Sequence, residues 1–260
     1  MTKHRLVALF FAIGLICLVT MGTFAHNDDE VSEEFHQSYP LAANGLVSLQ
    51  NINGSVQILA WDRNEVKIDA VKKGRTRERL AEAEIRIDAT ANSIYIKTRY
   101  PERHQEDCYR NPASVEFTLT VPRTARLERI QLINGSLDIS GITGEIDASS
   151  INGAVTAMAL VNRAKLATIN GPLRVSLAQL PEGERSHFNS VNGSIELLIP
   201  VNINAELRAN TVHGDIENDF GLTVHRGKYV GSRLSGVLGN GSAMVKLNNV
   251  NGTISIRQSN

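Results

Sequence analysis

One short motif, an aliphatic residue followed by Asn-Gly and an alternating run, returns along the second half of this 260-residue chain. It reads Ile133-Asn134-Gly135-Ser136-Leu137-Asp138-Ile139, then Ile151-Asn152-Gly153-Ala154-Val155, then Ile169-Asn170-Gly171-Pro172-Leu173-Arg174-Val175. Val191-Asn192-Gly193-Ser194-Ile195-Glu196-Leu197 follows, Val212-His213-Gly214-Asp215-Ile216 is a variant, and Val250-Asn251-Gly252-Thr253-Ile254-Ser255-Ile256 closes the series. The first five glycines succeed one another at intervals of 18, 18, 22 and 21 residues. The last interval, 38, leaves room for two units with an irregular corner near Gly239-Asn240-Gly241. A period near twenty is that of stacked coils, each of which buries its apolar face only against its neighbours.

Elementary stereochemistry turns the motif into a corner. Gly takes positive φ without cost and Asn tolerates the left-handed region, so Asn-Gly ends a strand abruptly. A second corner falls about halfway through the unit, at Gly141-Ile142-Thr143-Gly144. Each unit is then strand, corner, strand, corner. The expected fold is all-β, a single-stranded β-helix or β-solenoid of about twenty-residue coils. Aliphatics at −2, +2 and +4 from Gly are assigned to one face. This predicts burial of Ile133, Leu137, Ile151, Val155, Ile169, Leu173, Val191, Ile195, Val212, Ile216, Val250 and Ile254. In a parallel stack Asn134, Asn152, Asn170, Asn192 and Asn251, with Gly135, Gly153, Gly171, Gly193 and Gly252 beside them, form one corner column spaced by roughly 4.8 Å. The alternative is an antiparallel β meander, since Asn-Gly between alternating runs also signals a type I′ hairpin.

The rest of the chain divides around this repeat. Met1–Ala25 reads as a cleaved signal peptide: Lys3 and Arg5 precede a charge-free run from Leu6 to Met21, and Thr23-Phe24-Ala25 supplies small residues for cleavage. Cys17 does not make a lipoprotein signal, because Ile16 fills the place where a small residue is needed. Residues 26–40, with Asp28, Asp29, Glu30, Glu33 and Glu34, are expected to be a flexible acidic tether. The β-solenoid domain spans 41–260, an irregular part at 41–124 and the regular repeats at 125–260. One short helix is expected near 76–83, where Thr76 can cap a run of helix formers. Aromatics are only 5% of residues, which suits many small coils better than one large core. Cys108 alone survives removal of the leader, so no internal disulfide is available.

Gly54-Ser55-Val56, Trp61-Asp62, Val66-Lys67-Ile68, a strand ending Val121-Pro122 and the Ile/Val-Asn-Gly ladder together resemble the bacterial "putative adhesin" domain family, whose function is unknown. The resemblance covers Leu41 to Arg257. It implies a β-helix-like fold and an envelope location, periplasmic or at the cell surface. It brings no catalytic residues.

Chemistry is sparse in the pattern. Charge is balanced, 27 basic against 27 acidic residues, so no global field favours nucleic acid. Asp138 and Asp147 lie on opposite flanks of a coil and alternate with aliphatics. Asp215, Glu217 and Asp219 share one strand face and are the best candidates for Ca²⁺, although no calcium-type Gly/Asp repeat accompanies them. His187, His213 and His225 have no ligand spacing, and His26 becomes an amino terminus after cleavage. No cofactor motif appears, and the Asn-Gly-Ser/Thr triplets are read as corners rather than glycosylation sites. From Phe220 onward five basic residues, Arg226, Lys228, Arg233, Lys246 and Arg257, stand without an acid. They are the candidate contact for a polyanion, either an envelope polymer or a membrane surface. The reading is a non-catalytic envelope scaffold or binding protein. The alternatives are a carbohydrate-active β-helix enzyme, which needs converging acids, and a signalling accessory.

Overall fold

In the computed structural model, residues 30–101, 112–228 and 230–259 are described. The expected leader, His26, Cys17 and Cys108 lie outside them. Among the described residues no helix is long and apolar enough to cross a membrane.

The described residues are all-β, built from two mixed sheets with one short helix. In the first part, β1 (Val31–Pro40), β2 (Leu46–Asn53), β3 (Val56–Trp61) and β4 (Glu65–Gly74) precede α1 (Arg77–Glu82). Thr76 caps that helix by accepting a hydrogen bond from the Arg79 amide. Then come β5 (Glu84–Ala89), β6 (Ser93–Arg99) and β7 (Ser114–Pro122). The repeats supply β8 (Arg126–Asn134), β9 (Leu137–Ser140), β10 (Ile146–Asn152), β11 (Val155–Leu160), β12 (Ala164–Asn170), β13 (Leu173–Leu177), β14 (Arg185–Asn192) and β15 (Ile195–Pro200). The chain finishes with β16 (Ala205–His213), β17 (Ile216–Asn218), β18 (Val224–Arg226), β19 (Ser232–Leu238), β20 (Ala243–Asn251) and β21 (Ile254–Ser259).

Each Asn-Gly corner of the repeat carries the chain from one sheet to the other, so each unit gives one strand to each. The long sheet runs β18-β19-β16-β20-β14-β12-β10-β8-β2-β6-β5, and the facing sheet runs β1-β4-β7-β3-β9-β11-β13-β15-β21-β17. Neighbouring units pair in parallel and in register: Asn53 is matched with Asn134, Asn134 with Asn152, Asn152 with Asn170, Asn170 with Asn192, and Asn192 with Asn251. The hairpin alternative fails, because none of these column corners joins two strands of one sheet; Asn240-Gly241, outside the column, links β19 and β20 of the long sheet, which β16 separates.

Three expectations need correction. The stack is not sequential. The final unit, β20 with β21, inserts between the β14–β15 and β16–β17 units, and the residues between Gly214 and Gly252 hold an antiparallel hairpin, β18–β19, rather than a further coil. The regular stack also begins earlier than residue 125, since β2 and β3 form a full unit lying between β6–β7 and β8–β9. Finally, the acidic tether is largely a strand. β1 pairs antiparallel with β4 over ten residue pairs. Val31, Phe35 and Tyr39 alternate onto the core, while Glu33 meets Lys72 at 3.2 Å and His36 meets Asp69 at 2.7 Å. Counting charges in 26–40 overlooked that β4 carries the complementary lysines.

The core lies between the sheets as one continuous cluster of aliphatics, with Phe188 its largest fully buried side chain. Its phase differs from the expected one. Leu137, Val155, Leu173, Ile195, Ile216 and Ile254 are buried as expected, but Ile133, Ile151, Ile169, Val191, Val212 and Val250 are each 38–44% exposed. The residue just before each of these turns inward instead, as Ser150, Thr168, Ser190, Thr211 and Asn249 do. Alternation is strict up to the corner, and it places the residue just before Asn on the outer face.

Candidate functional site

The corner column is a surface feature to which every repeat unit contributes. Its innermost member is Gly. A Cβ on Gly135, Gly153, Gly171, Gly193, Gly214 or Gly252 would fall 2.1–2.4 Å from the carbonyl oxygen of the adjoining corner's glycine. Close approach of backbone to backbone is therefore what selects Gly, a role distinct from φ alone. Gly153 makes the point, for it has no positive φ but the same conflict.

The Asn side chains form a ladder along the axis. Each Nδ2 donates to the Oδ1 of the next unit: Asn134 to Asn53 at 2.9 Å, Asn152 to Asn134 at 2.8 Å, Asn170 to Asn152 at 2.8 Å, Asn192 to Asn170 at 2.9 Å and Asn251 to Asn192 at 2.7 Å. None of these Asn residues has positive φ, so the ladder, not the backbone angle, accounts for them. The non-glycine residues that do have positive φ among those described, Arg129 and Ala159, sit where the register shifts at bulges. His213 stands beside Asn251 as the last member of the column.

Beneath the ladder runs a second, buried column that sequence reasoning missed. Thr98, Asn51, Ser150, Thr168, Ser190, Asn249, Thr211 and Ser232 occupy equivalent inward places, with Leu132 the apolar exception. The Ser150 hydroxyl donates to the Gly135 carbonyl at 3.0 Å, and that of Thr168 to Gly153 at 3.0 Å. Asn249 Nδ2 donates to Gly193 at 2.8 Å. Buried corner carbonyls need partners, and a small polar residue three before Gly supplies one. The signal was present in the sequence as Ser, Thr or Asn at that spacing.

On the outer face the exposed aliphatics form a row of their own. Two residues earlier on the same face lies an amide row including Asn210, Asn248 and Asn189, the last two joined at 2.8 Å. Next is a basic row, in which Arg208, Lys246, His187 and Lys165 are successive register partners. The five sequence-selected basic residues do not make one patch. Arg257 is held by Asp219 at 2.9 Å and by Glu217, and Arg226 reaches Asp215 at 3.2 Å. These pairs cover the acidic row considered for Ca²⁺, and Arg257 keeps the Asp219 carboxyl below its usual range. Lys228 stands at the turn after β18, engaged in an interaction of its own. Lys246 joins the basic row, while Arg233 lines a cavity of about 490 Å³ with Thr211, Val212, His225, Arg226 and Val230. Asp138 and Asp147 are on different sheets, and Asp147 pairs with Lys165 at 3.2 Å. Among the described residues no three His, Cys, Asp or Glu side chains are grouped to hold a metal.

No curated protein matches this chain. Among solved structures, a "putative cell adhesion protein" from Clostridium sporogenes is similar in fold, with a TM-score of 0.50 and 13% identity over 87% of this chain and 100% of that one. A "putative adhesin" from Bacteroides fragilis aligns with a TM-score of 0.41 and 11% identity over 87% of this chain and 97% of that one. Residues 129–257, from β8 into β21, match the family model Toastrack DUF4097, just under half of the chain.

Proposed function

We propose that this is an exported, non-catalytic protein of the cell envelope, a β-solenoid of the adhesin-like kind that works by presenting a repetitive outer face to a partner. The observation that carries the reading is the register-matched column of exposed Asn amides and aliphatics, repeated unit after unit on one face. Such a surface offers the same contact many times over and so suits an extended target. The carboxylates that a hydrolytic site would need are tied to cations: Asp215 to Arg226, Asp219 to Arg257 and Asp147 to Lys165. That distribution supports binding over hydrolysis of an envelope polysaccharide. The leader-like segment at 1–25 supports export.

Two measurements test this. Protein recovered from an envelope fraction should begin at or near His26, and an intact Met1 there overturns the export reading. The purified protein should co-sediment saturably with envelope fragments from its own cells. Protein that stays in the supernatant at every fragment concentration overturns the binding reading.

A further inference from the structure

The exposed aliphatics deserve a physical account, because strands bury one face and normally polarise the other. The half-buried Ile52 and the exposed Ile133, Ile151, Ile169, Val191, Val250 and Val212 follow one another across adjacent parallel strands, flanked in each case by matched residues. Seven side chains at the strand spacing make a straight ridge of roughly 29 Å. A contiguous exposed apolar strip of this kind marks an interaction surface. Its sides are uncharged, with the Asn ladder on one and the amide row on the other. Its end is not. Beyond Val212 the ridge runs into the cavity lined by His225, Arg226, Arg233 and Val230. The side chains of Arg233 and His225 form no hydrogen bond or ion pair among the described residues, and they are register partners on β19 and β18. The same face carries Lys246 and His187, likewise without side-chain partners among the described residues.

We propose that this ridge and the cationic cavity at its end dock the protein on an anionic lipid surface. The aliphatic row enters the boundary between headgroups and acyl chains, and Arg233 with His225 receives a lipid phosphate. Charge complementarity selects this occupant. No carboxylate stands in the ridge or in the amide row beside it, and the unpaired side chains at its Val212 end, Arg233 and His225, are basic. A hydrophilic polymer would leave seven aliphatics uncovered, whereas a bilayer surface covers apolar and cationic groups together. The proposal rests on the reading of a repetitive binding face and names its target.

The test uses the purified protein in vesicle flotation, with phosphatidylcholine alone and with part of it replaced by phosphatidylglycerol. Wild type should float with the anionic vesicles, and its bound fraction should fall as salt rises. Ile151→Thr with Ile169→Thr and Val191→Thr keeps β-branched residues on the strands and should weaken binding about tenfold or more. Arg233→Gln with Lys246→Gln should reduce binding to anionic vesicles and leave any residue of binding to neutral ones unchanged. Wild type that floats with neither vesicle overturns the proposal, as does a folded ridge variant that binds as well as wild type. If wild type self-associates and the ridge variant does not, a second copy is the occupant and the lipid proposal falls. Sedimentation with envelope fragments but not with lipid vesicles defeats this proposal alone. Sedimentation with neither defeats the binding function as well.

Discussion

A single residue in this protein has a meaning set by its place within the unit. Gly153→Ala should cost about 1–3 kcal/mol or more, because its methyl would overlap the Gly135 carbonyl and force the units apart. Urea unfolding against wild type measures this. Asn152→Ala should cost only about 1 kcal/mol, since the ladder amides are exposed and the lost bonds are partly replaced by water. Ile151→Ala should likewise lose less than about 1 kcal/mol, while Val155→Ala, fully buried across the corner, should lose about 2 kcal/mol. That contrast measures the strand phase directly. The phase was half legible in the sequence. Positions +2 and +4 from Gly were read correctly because the strand leaving the corner alternates cleanly. Position −2 was misread because the corner itself breaks the alternation: a hydrophobic residue there looked like core, and the inward Ser or Thr one place earlier looked like surface.

Elements differ in how much of their environment is local. The α1 helix announces itself through Thr76 and its run of helix formers, and it is found at Arg77–Glu82. β1 does not announce itself, since what holds it is β4, whose register partners lie 25 to 43 residues further along the chain. His36 shows the dependence. Its ring reaches Asp69 at 2.7 Å and Glu34 at 3.3 Å, and the hydrogen bond to Asp69, foremost, raises its pKa above the ordinary value of about 6.5. A raised pKa means that the native state holds the proton more tightly than the unfolded chain does. This contribution is complete below about pH 6.5 and is lost as pH rises through the higher folded value. The difference in melting temperature between wild type and His36→Gln should therefore be larger at pH 6 than at pH 8. A difference that grows with pH would show that the latch between β1 and β4 does not run through the imidazolium.

At the scale of the whole molecule, unit order matters more than unit number. Deleting residues 153–170 removes one whole unit and joins Asn152 to Gly171, so the ladder can close over the gap. That shortened protein should still unfold cooperatively, as nearest-neighbour stacking allows, and a deletion protein without β-sheet circular dichroism would refute it. Removing 243–259 should be far worse, with loss of soluble folded protein on gel filtration, because β20–β21 is the contact between the β14–β15 unit and the β16–β17 unit. The sequence could not disclose this arrangement, for Val250-Asn251-Gly252 has the same motif as every other corner and carries no address. Its consequence is one of timing. A ribosome or an export channel delivers the chain in order, so β16 and β17 emerge while the berth they must leave for β20 and β21 is still vacant. If they settle early against β14 and β15, the keystone arrives to find its seat taken. Correct assembly thus waits for the last stretch of chain, and anything that holds residues 205–240 aside until then, such as the hairpin folding back on β16, decides how often the molecule is built right.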